Sequence, residues 1–154
     1  MTEAAKLAGW IGIDLDGVLV EEGDHLPDLG PPIAAGISLV RRLRADGWDV
    51  RIFTARIATD PDNPAWIAAA ASYGFHTAGA WVADQETRIH DFCLQHWGVE
   101  LPITATKDWR MVLCYDDRAV QMVPNTGESL QELYERRVGK LAQDIVAILN
   151  EPTE

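Results

Sequence analysis

Trp10-Ile11-Gly12-Ile13-Asp14-Leu15-Asp16-Gly17-Val18-Leu19-Val20 is the stretch of sequence that decides the fold. Its apolar start predicts a buried strand, and Gly17 predicts a sharp backbone turn soon after it. Two acids at the end of a buried strand raise the free energy of the fold unless a cation lies between them. Carboxylate oxygens suit Mg²⁺ as that cation. On this stretch alone, Asp14 and Asp16 could equally be ordinary turn acids, since Asp and Gly are common in turns.

The composition predicts one soluble globular domain. The chain has 154 residues, of which 47% are hydrophobic and 24% charged, and this is enough for a single core. No apolar run approaches the roughly 18 residues of a membrane helix, and the N-terminus lacks signal-peptide features, so we expect a cytoplasmic protein and no membrane partner. Two cysteines, Cys93 and Cys114, do not make a disulfide framework.

The charge balance is strongly acidic. Asp and Glu outnumber Lys and Arg by 24 to 13, which gives a formal net charge of −11. This disfavours a general grip on nucleic-acid backbones, because such a grip depends on basic patches. A phosphorylated substrate stays open, since a metal ion and a few well-placed cations can bind its phosphate.

Hydrophobic patterns along the chain predict alternating strands and helices. After a flap at about 18–29, the predicted helices are 33–45, 65–73, 84–97 with Asp84 as its N-cap, and about 128–149. The predicted strands after the first are 48–54, 101–104, 111–115 and a minor one at 120–123, whereas 75–82 is ambiguous. The strand–helix–strand order favours a mostly parallel sheet. We therefore predict a single α/β domain over 1–154, a three-layer sandwich with helices on both faces of the sheet.

Chemically capable side chains follow the predicted strands. In an open parallel sheet, ligands bind beyond the carboxyl ends of the strands. These ends carry Asp14 and Asp16 after the first strand, Thr54 and Arg56 after the second, Lys107 after the third, and Asp116 and Asp117 after the fourth. A hydroxyl, an ammonium group and four carboxylates are thus expected at one edge of the sheet.

The same residues resemble the ordered motifs of the haloacid dehalogenase (HAD) superfamily of phosphohydrolases. The four motifs are Asp14-Leu15-Asp16-Gly17, Ile52-Phe53-Thr54, Lys107 and Tyr115-Asp116-Asp117-Arg118. The first is specific, the threonine and lysine motifs are weak alone, and the order of all four is a strong signal. Asp116-Asp117-Arg118-Ala119 is similar to small phage-type members, and Thr54-Ala55-Arg56 to the phosphatase module of polynucleotide kinases. Val18 departs from the threonine that many of these phosphatases carry.

The resemblance implies a phosphatase with a Rossmann-like HAD fold and a minimal cap, dependent on Mg²⁺. Asp14 would be the nucleophile that forms an aspartyl-phosphate, Asp16 the general acid and base, and Lys107 the cation that offsets negative charge. The implied metal site consists of Asp14, Asp16 through its backbone carbonyl, Asp116 and Asp117, the last directly, through a water or by holding Lys107. Thr54, Ala55 and Arg56 would contact the substrate.

Short intervals between the motifs limit the site. The 37 residues between Asp16 and Thr54 and the 52 between Thr54 and Lys107 leave no room for a large cap. An open site suits an exposed phosphoryl group, unless a second subunit of a homo-oligomer covers it. A nucleotide, a sugar phosphate and a 3′-phosphorylated strand end, as for a polynucleotide 3′-phosphatase, stay open as substrates.

Other functions use similar residues. A phospho-accepting receiver domain also groups acids, Thr and Lys around Mg²⁺, but the order of the motifs disfavours it. A non-catalytic phosphate-binding protein on the same fold is a further alternative. His90, Cys93 and His96 lie three residues apart on a predicted helix, yet a closed zinc site needs four ligands, so packing is the favoured interpretation.

Overall fold

The computed structural model describes residues 9–119, 121 and 124–149, which fall into two compact units with the boundary between Asp117 and Arg118. Within these residues lie four strands and four helices. The strands are β1 (Trp10–Asp14), β2 (Asp49–Phe53), β3 (Ile103–Thr104) and β4 (Met111–Tyr115). The helices are α1 (Ala34–Ala45), α2 (Pro64–Ser72), α3 (Ala78–Trp97) and α4 (Leu130–Leu149), and a 3₁₀ turn spans Ala55–Ile57. The prediction of one domain over 1–154 stays a prediction.

The four strands form one parallel sheet in the order β3-β2-β1-β4. The α/β class and the parallel sheet predicted from sequence are therefore confirmed. β1 lies between β2 and β4, with Asp14 level with Phe53 and Ile13 level with Tyr115. The carboxyl ends of three strands consequently meet at one edge, where the first-motif acids are expected.

The main hydrophobic cluster joins one face of the sheet to α1 and α3. Alternate residues of β1 and β2 point to it, and α1 and α3 supply the facing side chains. Its members include Ile11, Ile13, Val50, Ile52, Ile37, Val40, Ile89, Phe92 and Cys93. Cys93 is fully buried in this cluster, and burial raises the pKa of its thiol, so the packing interpretation of this residue is favoured over metal binding.

The start of α3 differs from the prediction. Asp84 was the predicted N-cap, but the helix begins six residues earlier, after Thr77, whose Oγ1 accepts a hydrogen bond from the Ala80 N–H. Asp84 instead accepts bonds from Arg88 one turn further along the helix. The prediction was wrong because Asp84 has a partner of its own within the helix, which a local capping signal does not reveal. Gly98 ends α3 in the left-handed conformation, as expected.

The predicted flap contains no regular hairpin. Between α1 and β1 the chain makes only isolated bridges, Asp16 with Val20 and Val20 with Pro32, and the Glu21 N–H donates to the Pro31 carbonyl. The flap is thus a loop whose two ends are joined at its base.

In the second unit, α4 begins at Leu130, two residues after the predicted start. Ser129 and Glu132 form a reciprocal cap: the Glu132 N–H donates to Ser129 Oγ, and the Ser129 N–H donates to Glu132 Oε2. The predicted minor strand at 120–123 lies mostly outside the described residues; Gln121, which is described, is not in a strand.

Candidate metal-binding and active site

Three carboxylates converge where β1 and β4 end. Each of Asp14, Asp116 and Asp117 offers one oxygen, and these atoms all lie within 4.8 Å of one another. The pairing of Ile13 with Tyr115 brings the next residues, Asp14 and Asp116, side by side. Among the residues that the structure describes, this is the one group of three or more acids, histidines or cysteines close enough to share an ion. The sequence-predicted convergence of the first and fourth motifs is therefore present in the fold.

Gly17 makes room for the third carboxylate. Its φ of +81° lies in the left-handed region, and its N–H donates to the Val20 carbonyl at 2.8 Å. A Cβ built on Gly17 would lie 2.6 Å from Asp117 Oδ2 and 2.7 Å from Asp117 Cγ. Both the turn and the placement of Asp117 thus require a residue without a side chain at this position.

The environment of Asp14 opposes its negative charge. The pKa of Asp14 is raised from 3.8 to about 6, chiefly by burial and also by the charges of Asp116, Asp117 and Asp16, against the opposing effect of the bond donated to Oδ1 by the Leu15 N–H at 2.7 Å. Desolvation and nearby like charges both disfavour the ionised form of a carboxylate. A cation bound by this group would remove much of that unfavourable energy.

The Asp16 carboxylate is not one of the three grouped acids and instead pairs with Arg56. The guanidinium donates from Nε to Asp16 Oδ2 at 2.8 Å and from Nη2 to Asp16 Oδ1 at 2.7 Å, a two-pronged ion pair. Arg56 is almost completely buried, whereas Asp16 is partly exposed. The carboxylate of Asp16 is therefore outside the group of three carboxylates that could bind a metal ion. Ligation through the Asp16 backbone carbonyl stays a prediction.

Thr54 and Ala55 follow β2 beside the acids. Thr54 is only 2% exposed, and its Oγ1 accepts a hydrogen bond from the Arg56 N–H at 3.2 Å, so it caps the 3₁₀ turn. Ala55 is exposed. The hydroxyl proton of Thr54 stays available for an acceptor at this edge. Contacts of either residue with a substrate stay predictions.

Lys107 reaches the same end of the sheet. Its Nζ lies 5.6 Å from the centroid of the Phe53 ring, and Phe53 is level with Asp14. Burial raises the pKa of the Cys114 thiol, with further increases from the charges of Asp116 and Asp14, and Lys107 opposes them. The charge of Lys107 therefore affects the same thiol as the charges of Asp14 and Asp116, which places the ammonium group near these two acids.

No family model, curated protein or solved structure matches this chain.

The functional interpretation of the site therefore depends on its own residues. Its donor set is three hard carboxylate oxygens at a partly open sheet edge, which fits Mg²⁺ better than zinc, because zinc favours Cys and His ligands. In the part of the chain that the structure describes, no helix is long and apolar enough to cross a membrane.

Sequence reasoning missed the residues that surround Arg56. Gln85 on α3 is fully buried, accepts a bond from Arg56 Nη1 at 3.0 Å and donates to the Pro27 carbonyl at 2.9 Å. The Asp28 carbonyl accepts from the same Nη1 at 2.9 Å. A polar residue within an otherwise core-facing helix stripe was the available signal for Gln85. The backbone carbonyls of the flap carried no sequence signal, because every residue has a backbone carbonyl.

Proposed function

We propose that this protein is an Mg²⁺-dependent phosphomonoesterase of the HAD type that acts through an aspartyl-phosphate on Asp14. The observation that carries the proposal is the convergence of Asp14, Asp116 and Asp117 within 4.8 Å beyond two adjacent parallel strands. A three-layer sandwich and membership of the HAD superfamily are part of the proposal. The parallel α/β sheet is an observed feature that supports it.

The reaction needs two displacements at phosphorus. In the first, a carboxylate oxygen of Asp14 attacks phosphorus, the bond to the leaving oxygen breaks, and Asp16 gives that oxygen its proton. In the second, water attacks phosphorus, Asp16 takes the proton of the water, and the bond to Asp14 breaks to release phosphate. The two bonds from Arg56 leave lone pairs on Asp16 that can hold a proton, because a carboxylate has about four acceptor sites.

The other residues neutralise and position charge. Asp116 and Asp117, with Asp14, would hold Mg²⁺, which supplies positive charge to the transferring phosphoryl group. Lys107 would add a second positive charge, and the Thr54 hydroxyl would donate to a phosphoryl oxygen. Ala55, exposed beside Thr54, would border the phosphate. The expected substrate is a phosphorylated small molecule or nucleotide.

Phosphate release from a panel of phosphomonoesters tests the proposal. We expect many phosphates released per chain with Mg²⁺, none above background with EDTA, and none from Asp14→Asn. Asp62→Asn, an exposed acid in the loop before α2, is the matched control and should keep full activity. Absence of turnover on every ester, with Mg²⁺ present and the protein folded, would refute the phosphatase.

The same experiment separates the alternatives. A phospho-accepting protein would incorporate one phosphoryl group per chain, detected by intact mass, and would release little phosphate. A non-catalytic binding protein would show neither turnover nor labelling, and its phosphate binding would survive Asp14→Asn.

A further inference from the structure

Arg56 lies at the centre of a buried network that joins three parts of the first unit. Its guanidinium contacts Asp16 after β1, the flap carbonyls of Pro27 and Asp28, and Gln85 on α3. Its backbone carbonyl accepts a bond from Trp81 Nε1 at 2.6 Å. A group that is almost completely buried and bonded on every side is poorly placed to move toward a substrate.

The donors of Arg56 are nearly all in use. Of the five N–H groups of a guanidinium, one on Nε and one on Nη2 go to Asp16, and both on Nη1 go to the flap carbonyls and Gln85. At most one N–H is left for an incoming phosphate. The predicted role of Arg56 in substrate binding is therefore disfavoured by its geometry.

The flap is held to α3 by further bonds that do not involve Arg56. Gln85 Nε2 donates to the Pro27 carbonyl, and Arg88 Nη1 donates to the Asp28 carboxylate. Gln85 is fully buried, so its two polar atoms would be costly to leave unpaired. Segment 27–28 is thus fixed at the side of Asp16.

We propose that Arg56 is a positioning residue that holds the Asp16 carboxylate in one orientation and, with Gln85, fastens the flap to α3 as a static wall beside the leaving group. The catalytic part of this inference depends on the proposed phosphatase function. The fastening of the flap does not. Arg56 acts through Asp16, so its loss should impair protonation of the leaving oxygen more than binding.

Arg56→Lys and Gln85→Met separate the two roles. The lysine keeps the charge but cannot form the two-pronged pair. The methionine removes the three side-chain bonds of Gln85, which are the one it accepts from Arg56 and the two it donates to the Pro27 carbonyl and the Asp84 carboxylate, and leaves the bonds between Arg56 and Asp16 in place. Arg51→Lys is the matched control, because Arg51 also donates from Nε and Nη2 to one carboxylate, in this case to Oδ2 of Asp49 at the amino end of β2, at 3.2 and 2.8 Å. Circular dichroism establishes that each variant is folded.

Hydrogen exchange of the flap amides is the readout that needs no activity. We expect exchange of the Glu21 amide, which donates to the Pro31 carbonyl at the base of the flap, to rise by about tenfold or more in Arg56→Lys and in Gln85→Met, and to be unchanged in Arg51→Lys. Gln85→Met also keeps the test valid should Arg56→Lys fail to fold. Unchanged exchange in the folded variants would overturn the fastening.

Leaving-group dependence tests the effect on Asp16. p-Nitrophenyl phosphate releases a stable anion, whereas phenyl phosphate needs more help from an acid. We expect Arg56→Lys to lower kcat on phenyl phosphate by about tenfold more than on p-nitrophenyl phosphate, with KM changed less than about threefold. A raised KM with unchanged kcat on both esters would overturn the proposal and return Arg56 to substrate binding. If the wild-type protein hydrolyses no ester of the whole panel, the phosphatase function fails, and the catalytic half of the inference fails with it, while exchange still decides the fastening.

Discussion

Replacing Asp14 by Asn should stabilise the metal-free protein at neutral pH while removing the proposed nucleophile. In the folded protein, burial and the neighbouring acids raise the pKa of Asp14 from 3.8 to about 6. A carboxylate that is harder to ionise when folded than when unfolded lowers stability at every pH at which it is charged. Asn keeps the acceptor for the Leu15 N–H and carries no charge.

The magnitude follows from the two pKa values. A difference of about 2 pH units corresponds to about 3 kcal/mol, because each unit is worth about 1.4 kcal/mol. Asp14 is only partly buried, so solvent screening reduces this to about 1–2 kcal/mol. The folded-state pKa is the higher one, so the unfavourable energy is absent below pH 3.8, grows as pH rises to about 6 and is constant above.

Thermal unfolding in EDTA measures the effect. Asp14→Asn should raise Tm by about 2–6 °C at pH 7.5, and the gain should shrink as pH falls toward 4. Added Mg²⁺ should stabilise the wild-type protein more than the variant, because ligand binding to the folded state raises stability. A lower Tm for the variant at pH 7.5 in EDTA, or a gain equal at both pH values, would refute the electrostatic account of the site.

Asp84→Asn is a control of opposite sign. Hydrogen bonds from Arg88 lower the pKa of Asp84, so its charge stabilises the fold above the unfolded-state pKa of 3.8, and this contribution is lost as pH falls below that value. This variant should therefore lower Tm at pH 7.5 and have less effect in acid.

Three further outcomes are expected. Gly17→Ala should lower the free energy of unfolding by about 2 kcal/mol or more and weaken Mg²⁺ binding measured by calorimetry. Gly47 has a similar φ, but no atom lies within 4 Å of a Cβ built on it, so Gly47→Ala should lower the free energy of unfolding by only about 1 kcal/mol and leave metal binding intact. Gly36→Ala should lower Tm because its Cβ would lie 2.1 Å from the Val18 carbonyl oxygen, whereas Gly79→Ala, in open space on α3, should be neutral or stabilising by up to about 1 kcal/mol. EDTA added to the wild-type protein in Mg²⁺ should lower its Tm to the value measured without Mg²⁺. A Tm that changes neither with Mg²⁺ nor with EDTA would contradict a metal site.

Strand positions were predictable because each depends on a local pattern. The run that ends at Asp14 and the run that ends at Tyr115 are short, apolar and bounded by turn residues, and both are strands of the structure. Their acids converge because parallel neighbours end at the same edge, a rule that needs no side-chain detail. The convergence of Asp14 with Asp116 was accordingly accessible from the sequence.

Other features depend on contacts that no local pattern reports. Arg56 and Asp16 are 40 residues apart, and nothing near either predicts their ion pair. α3 begins at Ala78 and its first turn includes Trp81, whose ring packs edge-on against Phe75 with the ring centroids 5.3 Å apart, a contact that the ambiguous segment 75–82 did not reveal. The flap has no periodicity, because its conformation is set by bonds from Gln85 and Arg88 on another element.

The brevity of β3 has a consequence for solubility. Strands at the margin of a sheet present unpaired amide and carbonyl groups that can recruit a strand from another molecule. At this margin the protein offers only Ile103 and Thr104, with Pro102 directly before them. A strand of two residues that follows a proline, which has no N–H to donate, offers few hydrogen bonds to a strand of another molecule. Pro102→Val would restore an N–H and could lengthen β3, so we expect this variant to self-associate more at high concentration.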